Sequence, residues 1–198
     1  MSFESYRSKG RIAILLMILL TVISGFVSVL SLDSNLYVSL ILLLANSVFF
    51  ILFLVAMNGF AKYYDDSKIF KNSLYVFIIA TIAGNFMRII SFTFVTPILE
   101  ESSISASLQV FSIVWVITAF VAIINGILYR RAFSTLAEKS GEDNFKQAGE
   151  YMFFGGILTI VFVGIIGLFI GWILAFKGFS SMKPKSSQIN SIQETPSN

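Results

Sequence analysis

The sequence predicts an all-α fold, a polytopic transmembrane bundle of six helices arranged as three hairpins. The first observation is composition: of 198 residues, 56% are hydrophobic and only 13% are charged, whereas soluble domains carry about 25% charged residues. The second is the recurrence of apolar segments long enough to cross a bilayer. The third is the distribution of lysine and arginine, which fall almost entirely on one side of those segments. Five crossings are the alternative.

Four apolar segments precede the last one, and short polar turns separate them. They run over residues 12–32, 36–61, 70–99 and 103–129. Each contains about 20 residues or more, which at a rise of 1.5 Å per residue is enough for a hydrocarbon core of about 30 Å. Residues 129–140 then continue the fourth helix as a cytosolic amphipathic extension, with Phe133, Leu136 and Ala137 on one face. Ser140 and Gly141 end it.

The last apolar region, residues 152–176, fits either one 25-residue helix or two shorter helices. The two helices would cover Asp143–Val161 and Ile165–Met182, with a turn around Val163 and Gly164. Charge favours the hairpin, because the first two outer turns carry acidic residues but no lysine or arginine, whereas a single helix would leave three lysines outside. These lysines are Lys177, Lys183 and Lys185. The hairpin places both termini in the cytoplasm.

The predicted organisation is therefore a cytoplasmic N-terminal segment, a transmembrane domain and a tail. The segment covers residues 1–11, the helical domain residues 12–179, and the tail residues 180–198. The tail is rich in serine and polar amides and is expected to be disordered. The expected location is the plasma membrane, as a multi-pass protein.

Four polar residues inside the apolar segments could line a pathway through the bundle. They are Asn46, Asn85, Arg88 and Asn125. A charged side chain at membrane depth is costly and usually faces water or a partner. The alternative is structural, because Arg88 lies close to the outer headgroups, where an arginine can extend to the interface. Asparagines also form hydrogen bonds between membrane helices.

Small residues form a stripe along the last helix, at a spacing that allows helices to approach closely. The stripe comprises Gly164, Gly167, Gly171, Ala175 and Gly178, and Gly167 with Gly171 forms a GxxxG motif. It could pack within the bundle or form the face of a homodimer. Packing within the bundle is the more ordinary interpretation.

Composition argues against an enzyme. Cysteine and histidine are absent, which removes thiolate nucleophiles and the commonest general base and metal ligand. The paired Asp65 and Asp66 do not form the repeated aspartate motif that a diphosphate-binding site requires. No cofactor or metal is expected. The net charge of +3 is interpreted as contact with lipid headgroups and not with nucleic acid, since the cations flank apolar segments.

The segment from Tyr129 to Lys183 resembles a mostly archaeal membrane family catalogued as domain of unknown function 996. The matching pieces are Ala132-Phe133, Leu136-Ala137, Ser140-Gly141, Phe145, Ala148-Gly149, Gly156, Leu158-Thr159-Ile160, Val163-Gly164, Ile173 and Ala175-Phe176. Lys177-Gly178 and the long third segment depart from the pattern. The resemblance implies an archaeal plasma membrane, but it implies no activity, substrate or site residue.

Two functional hypotheses follow. The first is a non-enzymatic membrane scaffold or accessory subunit, in which the small-residue stripe and the cytosolic helix bind a membrane-protein partner or a second copy. The second is a small-solute transporter or channel that uses the intramembrane asparagines and Arg88. The sequence favours the scaffold or accessory subunit, and the transporter or channel is the alternative.

Overall fold

The computed structural model describes residues 2–30, 36–90, 104–161 and 163–184, with side chains at all of these except 28, 29, 36, 87–90 and 104–107. Within these ranges all regular secondary structure is helical, which confirms the all-α prediction. The described residues form six α-helices and one 3-10 turn: α1 (Phe3–Val29), α2 (Leu36–Tyr63), α3 (Ser67–Ile90), α4 (Ile104–Ser140), α5 (Asp143–Leu158), the 3-10 turn (Thr159–Val161) and α6 (Gly164–Ser181).

Several helices extend beyond the apolar segments that predicted them. Helix α1 begins at Phe3, so most of the predicted N-terminal segment is helical. Helix α4 continues without a break through residues 129–140, as the amphipathic pattern predicts. The end of the third apolar segment, residues 91–99, and residues 185–198 of the predicted tail lie outside the described residues. The first two residues of that predicted tail, 180 and 181, are helical and belong to α6.

The last apolar region forms a hairpin and not one long helix. Helix α5 ends at Leu158 and α6 starts at Gly164, close to the predicted turn. Five helices are long and apolar enough to cross a membrane, which makes this a multi-pass membrane protein. Helix α5 is not among them, because its 16 residues extend about 24 Å, less than a hydrocarbon core of about 30 Å.

The start of α1 and the end of α6 lie at the same end of the bundle. Arg7 donates a hydrogen bond from Nη1 to the carbonyl oxygen of Met182 at 3.0 Å. One turn further along α1, the guanidinium of Arg11 lies 5.8 Å from the ring centroid of Phe176. Because the first and the last described helix meet at one end, the described helices run along the bundle an even number of times, in agreement with three hairpins.

We call this end of the bundle the basic end. It comprises the start of α1, the α2–α3 turn, the α4–α5 turn and the end of α6. Asp66 connects two of these parts, since its carboxylate accepts a hydrogen bond from the backbone N–H of Lys68 at 3.0 Å and lies 3.7 Å from Nζ of Lys139. The ion pair is partly exposed, so it contributes at most about 1 kcal/mol. The ion pair links the α2–α3 turn to the end of α4.

Aromatic rings fill the core near the basic end. Phe60, Phe145 and Phe179 are fully buried, and the Phe179 ring lies 5.6 Å from that of Phe60 and 4.8 Å from that of Phe145, measured between centroids. Phe133 stacks on Phe145 at 6.0 Å. Rings from α2, α4, α5 and α6 therefore interlock there. Towards the opposite end, most large apolar side chains are exposed, as lipid-facing residues would be.

Glycines allow α5 to approach its two neighbours closely. A Cβ atom at Gly156 would lie 2.6 Å from the carbonyl oxygen of Ala122 in α4. A Cβ atom at Gly155 would lie 2.9 Å from the carbonyl oxygen of Gly164 in α6. Both distances are too short for a carbon atom, so the backbones are in direct contact. Helix α5 is thus packed between α4 and α6.

We predict that Gly156→Ala destabilises the protein by about 1–3 kcal/mol, because the new methyl group forces α5 away from α4. The measurement is the thermal unfolding midpoint of the purified protein in detergent. Gly25→Ala is the matched control, since a Cβ atom at Gly25 meets nothing within 4 Å. Equal midpoints for the two variants would contradict the close contact.

Candidate functional site

A polar cleft opens between α1, α2, α3 and α6. Its volume is about 200 Å³, which is room for several water molecules. The remaining lining is apolar, including Phe50, Phe77 and Gly84. Its polar groups come from all four helices and are those of Thr21, Asn46, Ser47, Thr81, Asn85 and Trp172. We refer to this site as the polar cleft.

Helical spacing explains how these groups converge. Thr81 and Asn85 are four residues apart and therefore share one face of α3. The hydroxyl groups of Thr21 and Ser47 donate to carbonyl oxygens of their own helices, at 2.8 Å for Met17 and 2.9 Å for Leu43. Because their protons are used in this way, the hydroxyl oxygens remain available to accept hydrogen bonds in the cleft.

The two asparagines supply the remaining hydrogen-bonding capacity. Within the described part of the chain, neither side-chain amide makes a hydrogen bond. The Asn46 side chain is exposed and the Asn85 side chain is half-buried. Asn46 precedes Lys62 by 16 residues and Asn85 follows Lys71 by 14, so both lie about 21–24 Å from the lysines of the basic end. At that depth in a core of about 30 Å, polar side chains face water, a ligand or another protein group.

A second cleft lies on the other side of α3, between α3, α4 and α6. Its volume is about 330 Å³ and its lining is mostly apolar, with Thr118 and Asn125 as polar groups. The Oδ1 atom of Asn125 is buried and has no hydrogen-bond partner among the described residues. Ala80 and Gly84 line both clefts. The two clefts therefore share two small residues of α3.

The four polar residues singled out from the sequence are thus distributed over two sites. Asn46 and Asn85 both line the polar cleft, whereas Asn125 lines the second cleft. Arg88 belongs to α3, but its side chain lies outside the described residues. Sequence reasoning missed four groups of the cleft: Thr21, Ser47, Thr81 and Trp172. Two of them carried a signal, because Ser47 adjoins Asn46 and Thr81 precedes Asn85 by one helical turn.

The small-residue stripe of α6 lies against α5 of the same chain. Gly164, Gly171, Ala175 and Gly178 are buried, and Gly167 is half-buried. A Cβ atom at Gly167 would lie 2.9 Å from Cα of Gly155, and one at Gly171 would lie 2.6 Å from the Met152 side chain. The apolar face of the amphipathic extension is also covered, since Phe133 and Leu136 are fully buried in the core.

The basic end offers little titratable chemistry. Burial, and secondarily the neighbouring Tyr63, raises the pKa of the Tyr64 phenol far above its usual value, so this group stays neutral at physiological pH. Its hydroxyl group is buried without a hydrogen-bond partner in the described ranges. Across the same ranges, no three side chains among His, Cys, Asp and Glu come together in a group that could hold a metal ion.

Comparison with known proteins identifies the family. The family described as "Protein of unknown function (DUF996)" matches residues 48–173, well over half of the chain. The chain belongs to the DUF996 family. An uncharacterized protein of the archaeon Methanocaldococcus jannaschii is 29% identical to it over 136 residues, covering 67% of this chain and 76% of that protein. No solved structure matches.

The family assignment confirms the resemblance seen in the sequence and extends it toward the N-terminus. The DUF996 match contains α3, α4 and α5 in full and parts of α2 and α6, and it includes Asn85, Asn125 and Trp172. Thr21, Asn46 and Ser47 of the polar cleft precede it. The cleft is therefore assembled from residues on both sides of the family boundary.

We predict that a cysteine at Asn85 reacts with a membrane-impermeant maleimide in open membranes, because the cleft is hydrated. The chain has no other cysteine, so the label reports one position. Ile82→Cys is the matched control: it lies one turn away on α3, does not line the cleft and is 65% exposed on the outside of the bundle. Protection of Asn85→Cys, or equal labelling of both positions, would contradict a hydrated cleft.

Proposed function

We propose that this DUF996 protein binds a small uncharged polar solute in the polar cleft and acts as a small-solute transporter or channel. The proposal rests on one observation: the side-chain amides of Asn46 and Asn85, on two different helices, line the same cavity at membrane depth. Neither amide is satisfied within the described part of the chain. A solute or water would supply the missing partners.

The chemistry of the lining argues for an uncharged solute. Amides donate and accept hydrogen bonds, and the threonine and serine oxygens accept them. None of the side chains that the structure describes around the cleft is ionised at neutral pH. An ion entering the cleft would lose hydration without meeting an opposite charge, which is costly in an apolar surrounding. Hydroxyl and amide solutes can instead exchange water for these groups.

The scaffold or accessory-subunit hypothesis has less support. It relied on the small-residue stripe and on the cytosolic helix, and the apolar faces of both are packed within the chain. A protein partner or a second copy would have to bind another surface. The proposed role is non-enzymatic in either case, because the chain lacks cysteine and histidine. A stoichiometric membrane-protein partner recovered from native membranes would favour the scaffold.

We predict that Gly84→Leu abolishes solute flux, because Gly84 lines both clefts and has open space in front of it. The measurement is the light scattering of proteoliposomes after osmotic shock with glycerol or urea. Gly25→Leu is the control, since Gly25 also faces open space but lines neither cleft. If proteoliposomes with the unmodified protein show the same flux as protein-free liposomes, the protein does not transport these solutes. Equal flux for the Gly84→Leu and Gly25→Leu variants would refute passage of the solute through the clefts at Gly84.

We also propose that the protein lies in the plasma membrane with the basic end in the cytoplasm. The support is the concentration of cations at that end, which follows the positive-inside rule. They include Arg7, Lys62, Lys71, Arg130 and Lys177. Both described ends of the bundle would then be cytoplasmic.

For this orientation, we predict opposite labelling of cysteines at the two ends of the bundle. An impermeant maleimide applied to intact cells should label Leu30→Cys, at the far end of α1, because Leu30 is exposed there. It should label Ser180→Cys, at the exposed end of α6, only after the cells are permeabilised. The reverse pattern would show the opposite orientation.

A further inference from the structure

A groove runs along the outer surface of the α5–α6 hairpin, away from both clefts. Its volume is about 490 Å³, and its walls are apolar side chains such as Phe154, Leu158 and Ile166. Toward the basic end it adjoins a polar hollow of about 340 Å³ that includes Asp143, Lys146 and Gln147. Glu150 and Tyr151 line both spaces. We call the continuous surface the hairpin groove.

Glycines make this groove deep. Gly155 and Gly167 line its floor, and their backbones are in contact, since a Cβ atom at Gly167 would lie 2.9 Å from Cα of Gly155. No side chain rises between the two helices at this level. The flanking residues Phe154 and Ile166 are 55% and 62% exposed and stand beside the floor as walls.

The polar hollow contains one unpaired charge of each sign. Glu150 is neutralised by Arg130, whose Nε donates to Oε1 at 3.0 Å and whose Nη2 lies 2.9 Å from the same oxygen. Asp143 and Lys146 are exposed and form no ion pair within the described residues. They are three residues apart and lie on one face of α5. The hollow is thus neutral overall, with a separate anion and cation.

The length of the groove fits a hydrocarbon chain of one leaflet. From Glu150 to Leu158 the groove follows α5 for about 12 Å, close to the roughly 15 Å thickness of one leaflet in a core of about 30 Å. A hydrocarbon chain is narrow enough to lie inside it.

We propose that the hairpin groove binds one zwitterionic phospholipid of the leaflet at the basic end. Its phosphate lies at Lys146, its ammonium group at Asp143, and one hydrocarbon chain over Gly155 and Gly167. The position of the polar hollow supports this assignment, because it joins the apolar groove at Glu150 and Tyr151. Tyrosine is typical of the membrane interface, where the headgroup and the chains of a lipid join. A generic anionic lipid would meet the carboxylate of Asp143.

The test is native mass spectrometry of the delipidated full-length protein. It is titrated with equal amounts of phosphatidylethanolamine and phosphatidylglycerol that carry the same chains. The expected result is a 1:1 adduct with phosphatidylethanolamine in excess over phosphatidylglycerol. The double variant D143N/K146Q should lose this preference, whereas Lys71→Gln, an exposed lysine at the same end on α3, should keep it. All the altered side chains are exposed, and unchanged unfolding midpoints would establish that the variants fold.

Three results would overturn the proposal. A preference for phosphatidylglycerol would mean that the basic end attracts lipids by net charge alone. An unchanged preference in D143N/K146Q would place the lipid elsewhere. A protein dimer that excludes lipid and is weakened by Ile166→Arg would mean that a second copy covers the groove. None of these results depends on the polar cleft, so the solute-binding proposal is tested separately.

Discussion

The direct backbone contact of α5 with α4 and α6 is the constraint on which the rest of the structure depends. Gly156 lies against Ala122 and Gly155 against Gly164, at distances that leave no space for a side chain. Membrane helices gain little from the hydrophobic effect when they associate, so close van der Waals contact has to hold them together. This contact fixes α6, and α6 in turn supplies Phe179 to the aromatic core and Trp172 to the polar cleft.

Packing is uneven along the bundle, and this unevenness positions the cleft. At the basic end, rings from four helices interlock and Arg7 ties α1 to the end of α6. Beyond this core the side chains at the helix interfaces become smaller and more polar. On α3 the residues Ala80, Thr81 and Gly84 are small, and the space beside them forms part of the cleft, whose other walls include Phe50 and Trp172. A tightly packed aromatic core and a polar cleft thus lie at different levels of the same bundle.

The helices and their pairing could be predicted from the sequence, because apolar length and the distribution of lysines and arginines determine them. The turn near Val163 was found in this way, although α5 alone is too short to cross. The cleft could be predicted only in part. A membrane helix that is apolar on all sides has no polar face from which its rotation can be inferred. Asn125 therefore could not be separated from Asn46 and Asn85, and Thr21 carried no signal at all.

Helix α6 belongs to both proposed sites, but it presents a different face to each. Gly167 lines the floor of the hairpin groove and Trp172 lines the polar cleft. Five residues separate them, which at 100° per residue is a rotation of about 140° around the helix. An occupant of one site therefore cannot touch the other, and coupling would require α6 to move as a body. The glycine contacts with α5 and the hydrogen bond from Arg7 to Met182 oppose such a movement. We therefore expect the proposed lipid site and the proposed solute site, which share only α6, to be occupied independently.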